Sequence, residues 1–365
     1  MNWKKDLQNN ITTIEQLQKV FPIEENEAEE LKKIASKFPM SISRYYLSLV
    51  DPKNPKDPIR KMCIPSLEEN NDDGVWDTSG ETQNTILEGL QHKYAQTVLM
   101  LSTNQCAMYC RHCFRKRLVG QNDDEIVKMF EPILEYIKAH KEINNILISG
   151  GDALLNSNFV LEYYLKELSA VEHLNFIRIG TRLPVVFPQR ISEDSELLDI
   201  FKKYSALKQI YITTQFNHPN EITEQSTKCV KDLLNAGIII SNQTVLLKDV
   251  NDNPDTLVSL LNALTKIDVI PYYIFQCRPV THVKTPFQVP LLKGCDIIKE
   301  TRKQCNGYAK RFKFAMSHEK GKIEIIGKLN EKEIVFKFHQ AKDPSDSEKI
   351  FIKEMKENER WLDEI

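Results

Sequence analysis

Short apolar runs alternate with amphipathic stretches through the middle of the chain. The apolar runs span residues 98–101, 146–148, 176–179, 210–212, 238–247 and 272–275, and helical spacing of apolar residues falls at 126–140, 159–171, 195–204, 224–236 and 254–265. Continuous apolar strands alternating with helices predict a parallel sheet covered on its faces. Six such units are two short of a closed eight-unit barrel. The pattern therefore predicts an α/β fold built on a curved, partial (β/α)6 barrel of the TIM type.

The two ends of the chain follow other patterns. Residues 1–90 are expected to form a helical N-terminal extension and linker, with a capping box at Thr12 and Glu15, a charged helix over 24–37 and a surface linker over 51–80. The barrel core is assigned to 91–309. Residues 310–365 are predicted as a small β/α extension, with antiparallel strands at 312–314, 322–326 and 333–338 and a charged helix over 348–365.

Composition excludes several classes of function. The chain has 365 residues, 41% hydrophobic, and a net charge of −2, so no overall basic field exists to hold nucleic acid. No apolar run reaches the ~18 residues that span a bilayer, and the N-terminal sequence lacks the apolar core of a secretory signal. We therefore expect a cytoplasmic protein without membrane or nucleic-acid partners. In that reducing compartment cysteines are thiols or metal ligands, and five of the eight, which are scattered, are expected to be buried and inert: Cys63, Cys229, Cys277, Cys295 and Cys305.

The other three cysteines form a compact motif, Cys106-Ala-Met-Tyr-Cys110-Arg-His-Cys113, directly after the first parallel strand. Cubane clusters usually take four thiolates, so three leave one iron open to a small molecule. S-adenosylmethionine offers an amino and a carboxylate group to such an iron, and electron transfer to its sulfonium gives a 5′-deoxyadenosyl radical. The alternative is structural zinc, but this sequence lacks the paired spacing typical of closed sites. His112 lies between two of the cysteines, a cramped place for a fourth ligand.

Polar residues follow the later strands and are expected at the same mouth of the barrel. They are candidates to bind S-adenosylmethionine, with structural turns and hydrogen bonds as the alternative: Ser149, Gly150, Gly151 and Asp152 after the second strand, Arg182 after the third, Gln215 after the fourth, and Asn242 and Gln243 in the fifth. In this interpretation Asp152 accepts a hydrogen bond from the amino group of the cofactor.

With these residues in place, the chain resembles the lysine 2,3-aminomutase family of radical S-adenosylmethionine enzymes. The similarity covers about residues 93–322 through CAMYCRHCFRKR, ISGGDALL, IGTRLPVVFPQRI, FNHPNEIT, NQTVLLKDVND, PYYIFQC and GKIEI. The resemblance implies a partial barrel, a [4Fe–4S] cluster, S-adenosylmethionine and pyridoxal 5′-phosphate. It also implies migration of an amino group between C2 and C3 of an amino acid, with an isomerase activity.

The resemblance assigns roles residue by residue. Arg115 matches the arginine that pairs with the substrate carboxylate, and Lys322 matches the lysine that carries pyridoxal phosphate. Lys93 and Tyr94 match positions near the phosphate, but Thr97 stands where the family has a second arginine. The glycine run that normally precedes the lysine is replaced by residues 316–321.

The predicted substrate pocket also departs from the lysine enzymes. Arg278 and Ala315 stand where those enzymes carry two aspartates that hold the distal ammonium group. A cation there would repel lysine and favours an acidic substrate such as glutamate. Expected partners are the amino acid and an electron donor such as flavodoxin or ferredoxin, and a homo-oligomer is left open. Two alternatives are a radical S-adenosylmethionine enzyme without pyridoxal phosphate, acting on another small molecule, and a non-catalytic metal-binding protein.

Overall fold

The computed structural model describes residues 3–121 and 124–362, in which twelve strands form one sheet in the order of the sequence. The strands are β1 (Thr85–Leu87), β2 (Leu90–Tyr94), β3 (Thr97–Leu101), β4 (Asn145–Ser149), β5 (Phe176–Gly180), β6 (Gln209–Thr214), β7 (Ile239–Leu246), β8 (Ile270–Gln276), β9 (Lys313–His318), β10 (Gly321–Lys328), β11 (Glu333–Ala341) and β12 (Ile350–Glu354). Strands β3 to β9 run parallel, whereas β1 to β3 and β9 to β12 pair antiparallel. Since β1 and β12 do not pair with each other, the barrel is open, as predicted.

Helices precede the sheet and cross between its parallel strands. They are α1 (Trp3–Gln8), α2 (Ile14–Gln18), α3 (Glu25–Lys37), α4 (Arg44–Leu47), α5 (Pro58–Cys63), α6 (Glu81–Asn84), α7 (Glu131–Ala139), α8 (Asn158–Ser169), α9 (Leu183–Val186), α10 (Gln189–Ser192), α11 (Ser195–Ser205), α12 (Glu224–Asn235), α13 (Pro254–Lys266), α14 (Lys284–Phe287) and α15 (Leu291–Gln304), with short 3-10 turns at Leu67–Asn70, Ala153–Leu155, Pro219–Glu221, Ala309–Arg311 and Pro344–Asp346. By covering the outer face of the sheet, the crossover helices leave the inner face for the site.

Helix α13 shows why these segments become helices. The Asn253 side chain accepts a hydrogen bond from the amide of Thr256, and Pro254 starts the first turn, where its missing N–H costs nothing. Four leucines at helical spacing are buried against the barrel: Leu257, Leu260, Leu261 and Leu264. At ~1.5–3 kcal/mol for each buried leucine, this stripe rather than helix propensity holds α13 in place.

The C-terminal extension differs from the prediction at both ends. β9 begins the antiparallel piece as predicted, since it pairs with β10, but it also extends the parallel sheet beside β8, with Phe275 opposite Ala315. The segment predicted as a helix over 348–365 contains strand β12 paired with β11, and its last three residues lie outside the described part of the chain. Exposure alternates along Ile350–Glu354, where Phe351 and Lys353 are less exposed than their neighbours, and a period of two is that of a strand.

The predicted surface linker over 51–80 is also wrong in its middle. Helix α5 buries Ile59, Met62 and Cys63, and Glu69 is 1% exposed. The capping box lies one residue later than predicted, on Thr13 and Gln16. The N-terminal helices share one hydrophobic core with the barrel helices.

As expected, the five scattered cysteines are buried and form no disulfide. None of the helices in the described ranges is long and apolar enough to cross a membrane.

Candidate active site

A cavity of about 370 Å³ opens at the carboxyl ends of the parallel strands. All but one of the candidate site residues border it: Lys93, Tyr94, Cys106, Cys110, Cys113, Arg115, Ser149, Gly150, Gly151, Asp152, Arg182, Gln215, Gln243, Arg278 and Lys322. These residues are scattered over 230 positions of the chain (93–322), and parallel packing of the strands brings their ends to one mouth. Asn242 does not border the cavity, because its amide bonds the backbone of Phe216 and the hydroxyl of Thr244.

The three motif cysteines lie together on one wall of this cavity, in the irregular segment after β3. All three thiols are free. Burial raises the pKa of Cys106 and raises the pKa of Cys113 to about 11, and neighbouring thiols add to both shifts. A bound metal cluster offsets this cost, because thiolates are its ligands. Over 3–121 and 124–362, no three His, Cys, Asp or Glu side chains converge as ligands of a single metal ion.

Two glycines fix the position of the cysteine segment. The amides of Gly151 and Asp152 donate to the carbonyls of Thr103 (2.5 Å) and Gln105 (2.7 Å). A Cβ on Gly150, whose φ is +127°, would lie 2.2 Å from the Thr103 carbonyl, and one on Gly151 would lie 2.3 Å from that of Gln105. Glycine at these two positions therefore lets the backbone that precedes Cys106 pack closely against this turn. The sequence predicts that the same glycines contact S-adenosylmethionine directly, whereas the contact observed is with the cysteine segment.

Arg182 connects the cysteine wall to a buried carboxylate. Its Nη1 donates to Cys110 Sγ at 2.7 Å and its Nη2 to Glu221 at 2.5 Å. The hydroxyl of Tyr46 donates to the same Glu221 oxygen at 2.6 Å. Asp152 accepts from the Arg182 amide at 2.7 Å, and burial raises the pKa of this carboxyl although its hydrogen bonds oppose the shift. Neither Tyr46 nor Glu221 is among the predicted site residues, although Glu221 lies in the FNHPNEIT segment, and the two are 175 residues apart in the chain.

His112, which the sequence analysis considers as a fourth zinc ligand, contacts side-chain amides and a phenylalanine ring. Its Nε2 lies 3.0 Å from the Gln215 amide nitrogen and 3.3 Å from that of Asn217, and its ring packs edge-on against Phe287. Burial lowers the pKa of His112 well below its usual range, so the ring is neutral. A neutral ring accepts from these amides through Nε2 and carries its proton on Nδ1.

Arg115 is already paired within the protein. It forms a buried ion pair with Glu81 at 2.9 Å, and its Nη1 donates to Ser149 Oγ and the Gly150 carbonyl, each at 3.2 Å. Arg117 holds the other Glu81 oxygen at 2.8 Å. Burial alone would raise the pKa of Glu81, but Arg115, Arg278 and Arg117 lower it. Glu81 is a site residue that the sequence analysis missed, since no motif surrounds it.

Arg278 lies across the cavity with most of its donors available. Its only described hydrogen bond joins Nη1 to Ser79 Oγ at 2.8 Å, and its guanidinium stacks 4.1 Å from the centre of the Phe114 ring. Burial is the main cause that lowers its pKa, but an arginine remains charged. Ala315 is fully buried on β9 and does not border the cavity.

The far end of the cavity is basic. Lys322 Nζ lies 4.6 Å from the centre of the Tyr273 ring. Burial is the main cause that lowers the pKa of Lys322 to about 7, and the nearby cations Arg178, Arg278 and Lys93 lower it further. Lys93 donates to the carbonyls of Ser79 (3.1 Å) and His318 (2.6 Å), and its pKa is likewise lowered to about 7, chiefly by burial. Burial raises the pKa of Tyr94 to about 12. This end is therefore suited to an amine nucleophile and an anion.

Several residues that border the cavity carry a buried polar atom without a hydrogen-bond partner: Gln91 (Nε2), His112 (Nδ1), Arg178 (Nε), Thr214 (Oγ1) and Gln276 (Oε1). Buried polar groups are normally satisfied, and bound molecules are one way to satisfy them.

Comparisons with known proteins agree with this geometry. Residues 100–261 match the Radical SAM superfamily model. A putative L-lysine 2,3-aminomutase of Aquifex aeolicus is 40% identical over 344 residues, which are 94% of this chain and 91% of that protein. The chain belongs to the lysine 2,3-aminomutase family of radical S-adenosylmethionine enzymes.

Other members of the lysine 2,3-aminomutase family differ in the substrate they are named for. The L-lysine 2,3-aminomutase of Acetoanaerobium sticklandii is 43% identical over 310 residues, covering 84% of this chain and 73% of that protein. The glutamate 2,3-aminomutase of Clostridioides difficile is 38% identical over 312 residues, covering 84% and 72%. The protein is thus a radical S-adenosylmethionine isomerase of the aminomutase type. The superfamily works with a [4Fe–4S] cluster and S-adenosylmethionine.

Proposed function

We propose that this enzyme is an amino-acid 2,3-aminomutase that carries pyridoxal phosphate on Lys322 and favours glutamate over lysine. The observation that carries the choice of substrate is Arg278, a guanidinium that faces the cavity with one hydrogen bond made. Related enzymes are named for both amino acids, so the side chains of the cavity decide between them.

Cys106, Cys110 and Cys113 would hold the [4Fe–4S] cluster through three thiolates and leave one iron for S-adenosylmethionine. When bound to the reduced cluster, S-adenosylmethionine supplies the species that abstracts hydrogen from the substrate. Candidate contacts to this cofactor are the residues at the strand ends: Ser149, Gly150, Gly151, Asp152, Arg182, Gln215 and Gln243. Arg182 Nη1 donates a hydrogen bond to Cys110 Sγ and so would orient this ligand sulfur. A one-electron donor such as flavodoxin or ferredoxin would reduce the cluster.

The basic end of the cavity fits pyridoxal phosphate. Lys322 is buried with a pKa lowered to about 7, so a neutral amine is available near neutral pH to join an aldehyde. The rings of Tyr273 and Phe275 lie beneath it. When bound, pyridoxal phosphate supplies the conjugated ring system that amino-group migration uses. Lys93 and Tyr94 would lie near its phosphate.

A dicarboxylic amino acid suits the two arginines better than lysine does. Arg278 offers its remaining N–H groups to a side-chain carboxylate, and a planar guanidinium binds carboxylates in a bidentate manner. The α-carboxylate can replace the neutral Ser149 and Gly150 acceptors on Arg115, because hydrogen bonds to charged acceptors are stronger. The ammonium group of lysine would instead meet like charge at Arg278.

The test compares substrates with the reconstituted enzyme under anaerobic conditions. We expect glutamate to give its 3-amino isomer at least about tenfold faster than lysine, measured by mass spectrometry. Arg278→Asp should reduce glutamate turnover and raise lysine turnover, whereas Arg311→Asp, at an exposed arginine, should change neither. Faster conversion of lysine by the unmodified enzyme would contradict the proposed preference.

A second candidate function is an enzyme that acts without pyridoxal phosphate. It is favoured by Thr97, which adds no charge beside Lys93, and by the tight β9–β10 turn, where His318 pairs with Gly321. Borohydride reduction with pyridoxal phosphate, followed by peptide mass spectrometry, separates the two candidates. An adduct on Lys322 that is lost in Lys322→Ala and kept in Lys320→Ala supports the aminomutase. Formation of 5′-deoxyadenosine without any adduct supports the alternative.

A further inference from the structure

Arg178 is a charged side chain inside the barrel that has no assigned role. It lies on β5 and borders the cavity, level with Leu147 on β4 and Leu99 on β3. Apolar residues normally fill the inner layers of such a barrel. An arginine at this depth is costly to bury unless an anion pairs with it.

The contacts of Arg178 hold it in place without neutralising it. Its Nη2 donates to Asn145 Oδ1 at 2.7 Å, and its Nε is buried without a partner. Asn145 in turn donates to Thr97 Oγ1 at 2.9 Å. Burial is the main influence on Arg178 and lowers its pKa, and the other influences are the hydroxyls of Tyr272 and Tyr273. The guanidinium is thus oriented by a neutral amide and has no carboxylate partner.

The charged groups near Arg178 also favour an anionic ligand. After burial, the groups that lower the pKa of Lys322 are Arg178, Arg278 and Lys93, which are all cations. The carboxylate of Glu81 already pairs with two other arginines, Arg115 and Arg117. Asp77 and Glu81 act on Lys93 and Arg278, but no carboxylate is among the groups that act on Arg178. An anionic ligand would supply the missing negative charge.

We infer that Arg178 and Thr97 form a phosphate-binding position that anchors the phosphate group of pyridoxal phosphate beside Lys322. This inference rests on the proposed function and adds to it the residue that supplies the counter-charge. The Thr97 oxygen accepts from Asn145, which leaves its O–H to donate to a phosphate oxygen. Arg178 is the stronger donor, since its planar N–H groups match phosphate geometry. Asn145 acts as a positioning residue for both.

The experiment compares two ligands that differ only in the phosphate. Pyridoxal phosphate and pyridoxal are titrated by absorbance into the reconstituted, unmodified protein and into Arg178→Gln, and the site is verified by borohydride trapping on Lys322. We expect Arg178→Gln to weaken pyridoxal phosphate binding about 10- to 100-fold, as for a lost hydrogen bond to a charged group, and pyridoxal binding less than about threefold. Arg178→Lys should lie between, and Arg311→Gln should behave as the unmodified protein.

A second measurement needs no substitution. Inorganic phosphate should compete with pyridoxal phosphate and leave pyridoxal binding unaffected. If Arg178→Gln binds both ligands like the unmodified protein, or weakens both equally, the phosphate assignment of Arg178 is wrong while the proposed function stands. If the unmodified protein forms no adduct on Lys322, the proposed function and this inference both fall.

Discussion

Single side chains in this cavity are tuned by burial more than by pairing. Lys322 is the sharpest case, since an amine with an ordinary pKa near 10.5 is shifted to about 7 by its buried, cationic surroundings. Above pH 7 it is neutral in the folded protein, whereas in the unfolded chain it would stay protonated to about pH 10. The reactive form is therefore available where most lysines are inert.

Trapping of pyridoxal phosphate should report this shift. We expect the rate of borohydride-trapped incorporation on Lys322 to rise between about pH 6 and 8 and then to level off. Peptide mass spectrometry gives the rate for Lys322 itself. A lysine with the ordinary pKa of about 10.4 would show a rate that still rises at pH 9. If the rate for Lys322 followed that course, the pKa of Lys322 would not be lowered.

At this scale the sequence predicts reactive residues better than their counter-charges. The motif cysteines and the strand-end polar residues stand in recognisable segments, and all of them except Asn242 border one cavity. Glu69 and Glu81 stand in no recognisable segment, and the contacts of Glu221 and Arg178 are likewise with partners that folding brings near. A charged residue in an otherwise apolar strand, such as Arg178 in Phe176–Gly180, is the one signal that was available.

Among the elements, the 3-10 turn Leu67–Asn70 is joined to the cysteine segment by buried ion pairs. Glu69, 1% exposed, pairs with Arg111 at 2.6 Å and with Lys116 at 2.5 Å, on both sides of Cys113. The two cations lower the pKa of Glu69 although burial alone would raise it. Removing the carboxylate leaves two buried cations uncompensated, which is more costly than losing the attraction alone.

Glu69→Gln should therefore destabilise the protein by about 3–5 kcal/mol and lower its retention of iron. Urea unfolding followed by circular dichroism measures the first effect, and iron analysis after reconstitution measures the second. Glu68→Gln is the matched control, since Glu68 is half exposed and its ion pair with Lys61 is long at 3.7 Å. A variant at Glu69 that matched this control would show that the carboxylate is dispensable.

The same elements show how far the pattern of the sequence reaches. Strands β3 to β8 and helices α8, α11, α12 and α13 fall within about two residues of the predicted bounds, since each has a full apolar stripe or run. Two segments rich in charged residues were predicted wrongly. The 51–80 segment is not all surface, because Glu69 is buried in an ion pair with Arg111. The segment predicted as the C-terminal helix contains β12, an edge strand with exposed isoleucines. Polar composition indicated surface in both places, but only β12 lies at an edge.

At the scale of the whole molecule, residues 359–362 pack against α15, β8 and β9. Trp361 is 7% exposed and packs 6.3 Å from the His318 ring, and the carbonyls of Glu359, Arg360 and Leu362 accept hydrogen bonds from Leu291, Gln276 and His318. The His318 carbonyl accepts from Lys93 at the cavity. His318 thus contacts both residues 359–362 and Lys93 at the basic end of the cavity.

Trp361 also lies in a hydrophobic cluster with Leu246, Leu257 and Ile274, which belong to the barrel. We expect Trp361→Ala to cost about 3–5 kcal/mol and to lower the stability of the barrel and extension together, because they share this core.

The variant retains Trp3 and Trp76, both in the N-terminal region, so tryptophan fluorescence follows that region while circular dichroism follows the whole chain. One shifted transition in both signals is expected. Ile352→Ala, at a 53% exposed position of β12, should change stability by less than about 0.5 kcal/mol. If fluorescence kept its original midpoint while circular dichroism showed an earlier step, the extension would be a separate folding unit, and its contact with Lys93 could not couple it to the site.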